Sequence, residues 1–236
     1  WGGLLANPAT ILTNAIACLV DGHGRLLLDD LKPPRISNQI RAALADVTIE
    51  PSPDEPALSP DWGEDSLSPA ERLYAWNTLE VLAMSSGNIA NPANAIPGNA
   101  RAMLQLRFVV GTKTDTIVPA IQQRGIACGL PMVGVHVTQS FPASRTDLNS
   151  RWINWAMESI RRTTAKEPAL LPNFGGSLPN DVFADTLGLP TLWVPHSYPG
   201  CSQHAPNEHI LLSVTEEALS VMAGLFWDLG EAPRIS

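Results

Sequence analysis

Hydrophobic and polar residues follow two different periods in the first part of the chain. Apolar residues recur at helical spacing after Asn7-Pro8, a pair suited to a helix start, so this pattern predicts a helix that ends near Gly22. Period-two alternation predicts three strands, at residues 77–84, 100–110 and 133–138. A helix begun by Thr114 or Asp115 is predicted between the last two strands. This order favours an α+β sandwich with both helices on one face of an antiparallel sheet.

The pattern changes from Asp147 onward. Residues 149–165 place apolar side chains on one helical face and charges on the other, which predicts a long amphipathic helix. Residues 189–195 form an apolar run bounded by turn residues, which predicts a buried strand whose end opens into a polar loop. A final helix is predicted from the capping box that Ser213 begins, and it ends at Gly230.

Two domains follow from these patterns. The boundary falls near residues 140–147, so we expect a first domain of residues 1–145 and a second domain of residues 146–236. Residues 29–70 are rich in proline and acidic residues and contain one short helical piece. We expect most of that stretch to be a surface excursion outside the core. The expected fold class is α/β, with an α+β first domain.

Composition limits the classes of function. The 236 residues are 44% apolar, and 15 Lys plus Arg against 23 Asp plus Glu leave a net charge of −8. The basic residues are scattered, so we expect no nucleic acid partner. No apolar run is long enough for a membrane span and no signal sequence opens the chain, so we expect no membrane partner and a cytoplasmic location.

The three cysteines and the first residues add two expectations. Cys18, Cys128 and Cys201 are widely separated and lack C-x-x-C spacing, which is typical of neither a disulfide framework nor a thiolate zinc site. We therefore expect reduced, structural thiols. The chain opens at Trp1 directly in a Gly-Gly turn, with no strand or cap before it, so we expect it to be part of a larger protein.

His204 is the first candidate for chemistry. It follows a Pro-Gly turn in the sequence QHAPNE, and a neutral imidazole on such a loop can direct a ring nitrogen at a divalent metal. The alternative is a loop histidine that only caps local backbone. His196 and His209 flank it, but the three histidines do not show a recognised ligand spacing.

Gly176 and Ser177 are the second candidates. Ser177 would begin a helix at residues 178–187, where unpaired amides and the helix dipole favour an anion such as a substrate carboxylate. The alternative is a plain serine N-cap. A serine hydrolase is disfavoured because Pro179 stands where the nucleophile elbow requires its last glycine.

Arg107 and Asn94 are the third candidates. Arg107 interrupts an alternating apolar strand, and its guanidinium is suited to a bidentate contact with a ligand carboxylate. The alternative partner is an acidic side chain of the protein itself. Asn94 precedes that strand in a turn, where asparagine is usually structural but can also reach a ligand.

Several segments taken together resemble the M20 family of metallopeptidases. They are NPANAIPGNARAMLQLRF, GGSLPNDVFADTLGLPTLWVP and QHAPNE, with WGG at the start of the chain. The nearest branch is that of the dipeptidases and carnosinase-like members, close also to succinyl-diaminopimelate desuccinylase. The resemblance covers nearly the whole chain except residues 29–70, and the most specific pattern is H-x-P-N-E after N-x-I-P and an L-R strand.

Members of this family have a catalytic domain with a centre of two divalent metals, usually zinc, interrupted by a lid domain that also dimerises. The resemblance implies that residues 1–145 are the lid. It implies that residues 146–236 are the C-terminal part of an α/β zinc-peptidase catalytic domain. Homodimerisation through the lid is implied as well.

The resemblance also implies roles for the candidate residues. His204 matches the final metal ligand of the family. Arg107 and Asn94 match lid residues that bind the substrate, with the asparagine typically acting across the dimer. Gly176 and Ser177 match the loop that contacts the carboxylate end of the substrate.

The remaining metal ligands of the family and its general base are not in this sequence. They are an H-x-D pair, a bridging aspartate, a Glu-Glu pair and a further acidic ligand, and the lid histidine that stabilises the oxyanion is missing too. We therefore expect these 236 residues alone to be hydrolytically inactive.

We expect the intact protein to cleave an amide near a free carboxylate, in a dipeptide or an N-acyl amino acid. The alternative is a non-catalytic dimerisation or binding module. One imidazole suits zinc, cobalt or manganese.

Overall fold

The computed structural model describes residues 1–49, 57–176 and 178–231. Within these ranges the helices are α1 (Pro8–Ala17), α2 (Asn38–Leu44), α3 (Pro69–Tyr74), α4 (Thr114–Ala127), α5 (Arg151–Thr164) and α6 (Leu212–Glu231). The strands are β1 (Thr78–Ser86) and β2 (Ala100–Arg107). Short turns of 3-10 or π type occupy Asp29–Leu31, Val182–Thr186 and Pro199–Cys201. A first unit comprises residues 1–36 and 60–143, and a second unit comprises the described residues of 37–59 and 144–236.

The first unit is built on an antiparallel hairpin covered by helices. The pairing of β1 with β2 runs from Thr78 opposite Arg107 to Ser86 opposite Ala100, and a bulge interrupts it at Leu82. Alternate residues of β2 are half-buried, and the residues between them are exposed. Since α1 contacts both strands and α4 packs against the same core, both helices cover the half-buried face. The predicted α+β sandwich is therefore confirmed.

Leucine and isoleucine side chains form the core of the first unit. Its centre consists of Leu19, Leu26, Leu31 and Leu79, which are at most 7% exposed. Strand β2 adds Leu104 and Leu106, and α4 adds Ile117 and Ile121. Burial of such side chains is the main source of stability in a unit of this size. Leu31 lies inside the stretch 29–70, so the beginning of this stretch contributes to the core, although most of the stretch was expected to lie on the surface.

The other end of that stretch is also folded into the first unit. Helix α3 begins with a capping box in which Ser68 Oγ accepts from the Glu71 amide at 3.2 Å and Glu71 Oε2 accepts from the Ser68 amide at 2.9 Å. The sequence interpretation missed this helix because the prolines around it dominate the local composition. Ala70 is 3% exposed, so α3 packs on one side.

Asn77, just before β1, hydrogen-bonds three other residues of the first unit. It is 1% exposed. Its side-chain amide donates to the Leu31 carbonyl at 2.8 Å and to Thr112 Oγ1 at 3.0 Å. Its Oδ1 accepts from the Val109 amide at 2.9 Å. Because buried polar groups must be paired, this single residue fixes where the chain enters β1 and leaves β2.

Four predicted elements differ in the structure. Residues 133–138 and 189–195 form no strand, because no described segment pairs with their backbone. An alternating or continuous pattern of apolar residues shows which side chains favour burial. A strand also needs a neighbouring strand with which its backbone forms hydrogen bonds. The helix predicted at 178–187 is reduced to the π turn Val182–Thr186. The last helix begins at Leu212, so Ser213 lies inside its first turn rather than at its N-cap.

Helices α5 and α6 form the centre of the second unit. Ile153, Ala156 and Ser159 are the buried residues of α5, and Val221 is the buried residue of α6. Asp228 of α6 accepts from Ser159 Oγ and from the Arg162 guanidinium, each at 2.6 Å. The hydrogen bond from Ser159 is the main cause that lowers the pKa of Asp228, and Arg162 adds to it. No described helix has the combination of length and apolarity that a membrane span requires.

We expect Gly224→Ala to lower the free energy of unfolding by about 1 to 2 kcal/mol. A Cβ at Gly224 would lie 2.2 Å from Thr163 Oγ1 and 3.3 Å from Thr163 Cβ, so either Thr163 must rotate and lose its hydrogen bond to the Ser159 carbonyl or α5 and α6 must separate. Urea denaturation measures the change. Gly230→Ala in the same helix is the matched control, since a Cβ there meets nothing within 4 Å. Equal effects of the two substitutions would contradict close helix packing at Gly224.

Candidate active-site residues

His204 lies in a loop of the second unit with an unusual backbone. Ser202, His204 and Asn207 have φ angles of 57°, 63° and 66°, in the left-handed region that residues with a side chain rarely adopt. Glu208 Oε2 accepts from the His204 amide at 3.3 Å and closes the loop. Such strain is often found where a side chain must be presented to a ligand. The imidazole of His204 is exposed, and no described residue hydrogen-bonds it.

The neighbouring histidine is held in a different way. His209 Nδ1 lies 2.9 Å from the Asn207 carbonyl oxygen, which can only accept, so Nδ1 carries the proton. Its Nε2 lies 2.5 Å from the Tyr198 hydroxyl, which forms a hydrogen bond with it. Both ring nitrogens of His209 are therefore occupied, whereas the His204 ring is exposed to a ligand.

Gly176 lies against an aromatic ring in the same unit. A Cβ at this position would lie 2.5 Å from Trp193 Cη2, so a larger residue would displace the indole. Trp193 also packs edge to face on Phe174, with ring centroids 4.8 Å apart. The Gly176 amide donates to the Phe174 carbonyl at 2.9 Å, so in this arrangement Gly176 provides close approach rather than a vacant donor. Ser177 lies outside the described residues.

Side-chain hydrogen bonds hold the segment that leads to the His204 loop. Thr146 Oγ1 donates to the Thr191 carbonyl at 2.6 Å and accepts from the Thr191 amide at 2.9 Å. Asn180 donates to Ser144 Oγ at 2.8 Å. Burial lowers the pKa of the adjacent Arg145 guanidinium, and Asp147 partly offsets that effect. Sequence reasoning missed the contacts of Thr146 and Trp193 because each joins residues far apart in the chain.

Arg107 and Asn94 lie in the first unit, at opposite ends of the hairpin. Arg107 is on the exposed side of β2, where its Nε donates to Gln105 Oε1 at 3.2 Å. No carboxylate among the described residues pairs with it. Asn94 is exposed in the loop between the strands. Because a strand rises about 3.3 Å per residue, the length of β2 places the two ends of the hairpin roughly 23 Å apart.

The described residues do not build a complete metal site. Among them, no three His, Cys, Asp or Glu side chains come together as a possible set of ligands. His204 alone supplies one nitrogen donor, whereas zinc sites in proteins use three or four protein ligands.

The described residues form a mixed α/β protein. The first unit contains an antiparallel hairpin covered by helices, and the second unit contains a helix pair and the loop that bears His204. No family model matches the sequence, and no curated protein matches it. Solved structures do match the fold. Human carnosine dipeptidase 1 gives a TM-score of 0.77 at 15% identity over 98% of this chain and 52% of its own.

Two further solved structures agree with this result. The M20 family metallo-carboxypeptidase Sso-CP2 from Sulfolobus solfataricus gives a TM-score of 0.73 at 22% identity over 94% of this chain and 52% of its own. The di-peptidase Dug1p from Saccharomyces cerevisiae gives 0.73 at 19% identity over 99% of this chain and 51% of its own. The chain therefore has the fold of M20 peptidase structures, as the sequence resemblance predicted, and spans about half the length of each.

Proposed function

We propose that the chain is part of a metal-dependent peptidase or amidohydrolase of the M20 type. The intact protein cleaves an amide bond near a free carboxylate, in a dipeptide or an N-acyl amino acid. The observation that carries this proposal is the H-x-P-N-E loop, which presents the imidazole of His204 from a strained backbone on a fold shared with peptidases. A strained, exposed imidazole favours a ligand role over a capping role.

Each candidate residue has a role in this proposal. His204 is one ligand of a centre of two divalent metals, which activates water and polarises the scissile carbonyl when bound. Zinc is the expected metal, although imidazole also suits cobalt and manganese. Arg107 binds the free carboxylate of the substrate, since its charge has no carboxylate partner among the described residues. Gly176 and Ser177 contact the same end of the substrate.

Two features of the first unit support a homodimer. Asn94 and Arg107 lie at opposite ends of a hairpin whose strand β2 spans roughly 23 Å, so the two side chains of one chain do not meet at one small substrate. A homodimer in which one copy supplies Arg107 and the other supplies Asn94 agrees with this separation. The hairpin also exposes Val81, Leu82, Met84 and Met103, each 42% to 58% exposed. Exposed apolar side chains on an edge strand favour pairing with another chain.

A non-catalytic dimerisation or binding module is the second candidate. The observation that favours it is that the described residues bring together no set of three metal ligands. The coding DNA upstream separates the two functions. An in-phase reading frame that encodes H-x-D and Glu-Glu supports the enzyme, and a stop codon there supports the module. A cytoplasmic location remains a prediction.

Hydrolysis by the protein encoded with its upstream sequence tests the proposal. We expect it to cleave dipeptides and N-acyl amino acids, to lose activity with a chelator, and to recover activity with zinc. The same substrates with an amidated C-terminus should react at least tenfold more slowly, because Arg107 loses its carboxylate partner. The 236-residue chain alone should be inactive with or without zinc. Metal-dependent hydrolysis by the 236-residue chain, or equal rates on amidated substrates, would contradict the proposal.

A further inference from the structure

Two of the three cysteines occupy equivalent places in the first unit. Cys18 is the C-cap of α1, and Cys128 is the C-cap of α4. Both side chains are partly exposed, whereas Cys201 in the second unit is buried. A small reagent can therefore reach Cys18 and Cys128, and Cys201 is shielded. All three cysteines are free thiols, as the sequence predicted.

A hydrogen bond between the helices brings their ends together. Arg124 Nε donates to the Cys18 carbonyl oxygen at 3.1 Å. Arg124 lies one helical turn before Cys128, whose amide donates to the Arg124 carbonyl at 2.9 Å. The residue that holds the end of α1 is thus adjacent to Cys128 on the surface of α4.

The end of α4 is itself firmly closed. The Leu130 amide donates to the Gly125 carbonyl at 2.8 Å, and the Gly129 amide donates to the Ile126 carbonyl at 2.9 Å. Gly129 has a φ of 76°, which glycine adopts without strain. These bonds form a Schellman motif, so the backbone at Cys128 has a fixed direction rather than that of a loose loop.

The Cys18 thiol also interacts with the Cys128 thiol. Hydrogen bonding with the Cys128 thiol is the main cause that raises the pKa of Cys18, burial adds to it, and the charge of Arg124 opposes it. This interaction agrees with the positions of Cys18 and Cys128 at the ends of the two helices that Arg124 joins. Two cysteines far apart in sequence are therefore close neighbours where the helices that cover the hairpin end.

We propose that Cys18 and Cys128 are a reversible modification site, at which a small-molecule disulfide of the glutathione type converts the dithiol to an intramolecular disulfide. One cysteine thiolate attacks the small disulfide, forms a mixed disulfide and releases one small thiol. The second cysteine attacks the mixed disulfide at the protein sulfur and releases the other small thiol. The protein loses two electrons and two protons, and the two released thiols gain them. The product links the end of α1 to the end of α4.

Oxidised glutathione added to the folded 236-residue chain tests this site. After alkylation of remaining thiols and digestion without reductant, mass spectrometry should find the Cys18 peptide joined to the Cys128 peptide and Cys201 alkylated. The oxidised chain should melt roughly 8 °C higher than the reduced chain, because the link constrains the unfolded state. Dithiothreitol should reverse both changes.

Single substitutions separate pair formation from general reactivity. Cys18→Ser should leave one persistent glutathione adduct on Cys128 and no rise in melting temperature, whereas Cys201→Ser should behave like the unchanged chain. If either variant does not fold, the peptide map of the unchanged chain still shows whether Cys18 and Cys128 become linked. Two separate adducts on Cys18 and Cys128, unreacted thiols at both, or linkage of either to Cys201 would each overturn the proposal.

Discussion

Asn77→Ala should lower the free energy of unfolding by about 3 kcal/mol, which is the largest stability effect that we expect from one side chain of this protein. The substitution removes the donor to the Leu31 carbonyl and the acceptor of the Val109 amide, at distances of 2.8 and 2.9 Å. Both groups are left without partners at a position where Asn77 is 1% exposed. Urea denaturation measures the loss, and hydrogen exchange at the Val109 amide should accelerate with it.

An exposed asparagine in the same unit is the matched control. Asn88 Oδ1 accepts from the Ala90 amide at 3.0 Å in the exposed loop after β1. Water replaces that bond when it is lost, so Asn88→Ala should cost no more than about 0.5 kcal/mol. A loss at Asn77 as small as the loss at Asn88 would show that the Asn77 network does not hold the ends of the two strands.

His204→Ala, made in the protein with its upstream sequence, should lower kcat/KM by about three orders of magnitude. The reason is that an exposed imidazole on a strained loop supplies one of the metal ligands that we propose. Metal content measured on the purified variant should fall together with activity. Circular dichroism should stay unchanged, because no described residue depends on the His204 ring for a hydrogen bond.

Another exposed histidine provides the control for that experiment. His136 lies in the first unit, and its side chain is exposed as well. His136→Ala should keep both metal content and kcat/KM. Full activity of His204→Ala would remove the observation on which the proposed function depends. Loss of activity with unchanged metal content would assign His204 a role other than metal binding.

The first unit was largely predictable from local patterns. The N-cap of α1 follows from one short-range contact, in which Asn7 Oδ1 accepts from the Ala9 amide at 2.9 Å. The hairpin follows from alternation, because one face of β2 is covered and the other is exposed. Such signals depend on neighbours within a few residues, and a single sequence contains them completely.

The second unit was less predictable. The apolar run at 189–195 suggested a strand, yet a strand exists only when another strand offers its backbone, and the run itself carries no information on that partner. The packing of Trp193 against Gly176 joins two segments with different local patterns. The candidate residues His204 and Gly176 were nevertheless identifiable, because turns are recognisable from their glycine and proline residues in the sequence alone.

The sequence by itself determined α1, α4 and the hairpin of the first unit, the resemblance to M20 peptidases and the identity of the candidate residues, since each depends on residue type and short spacing. The tertiary structure decided which groups meet. It left Arg107 exposed beside Gln105 and placed Asn94 at the far end of the hairpin. It also brought Cys18 to Cys128 through Arg124. These outcomes depend on contacts between distant segments. No local pattern encodes such contacts, because they form only when the helices pack on the hairpin.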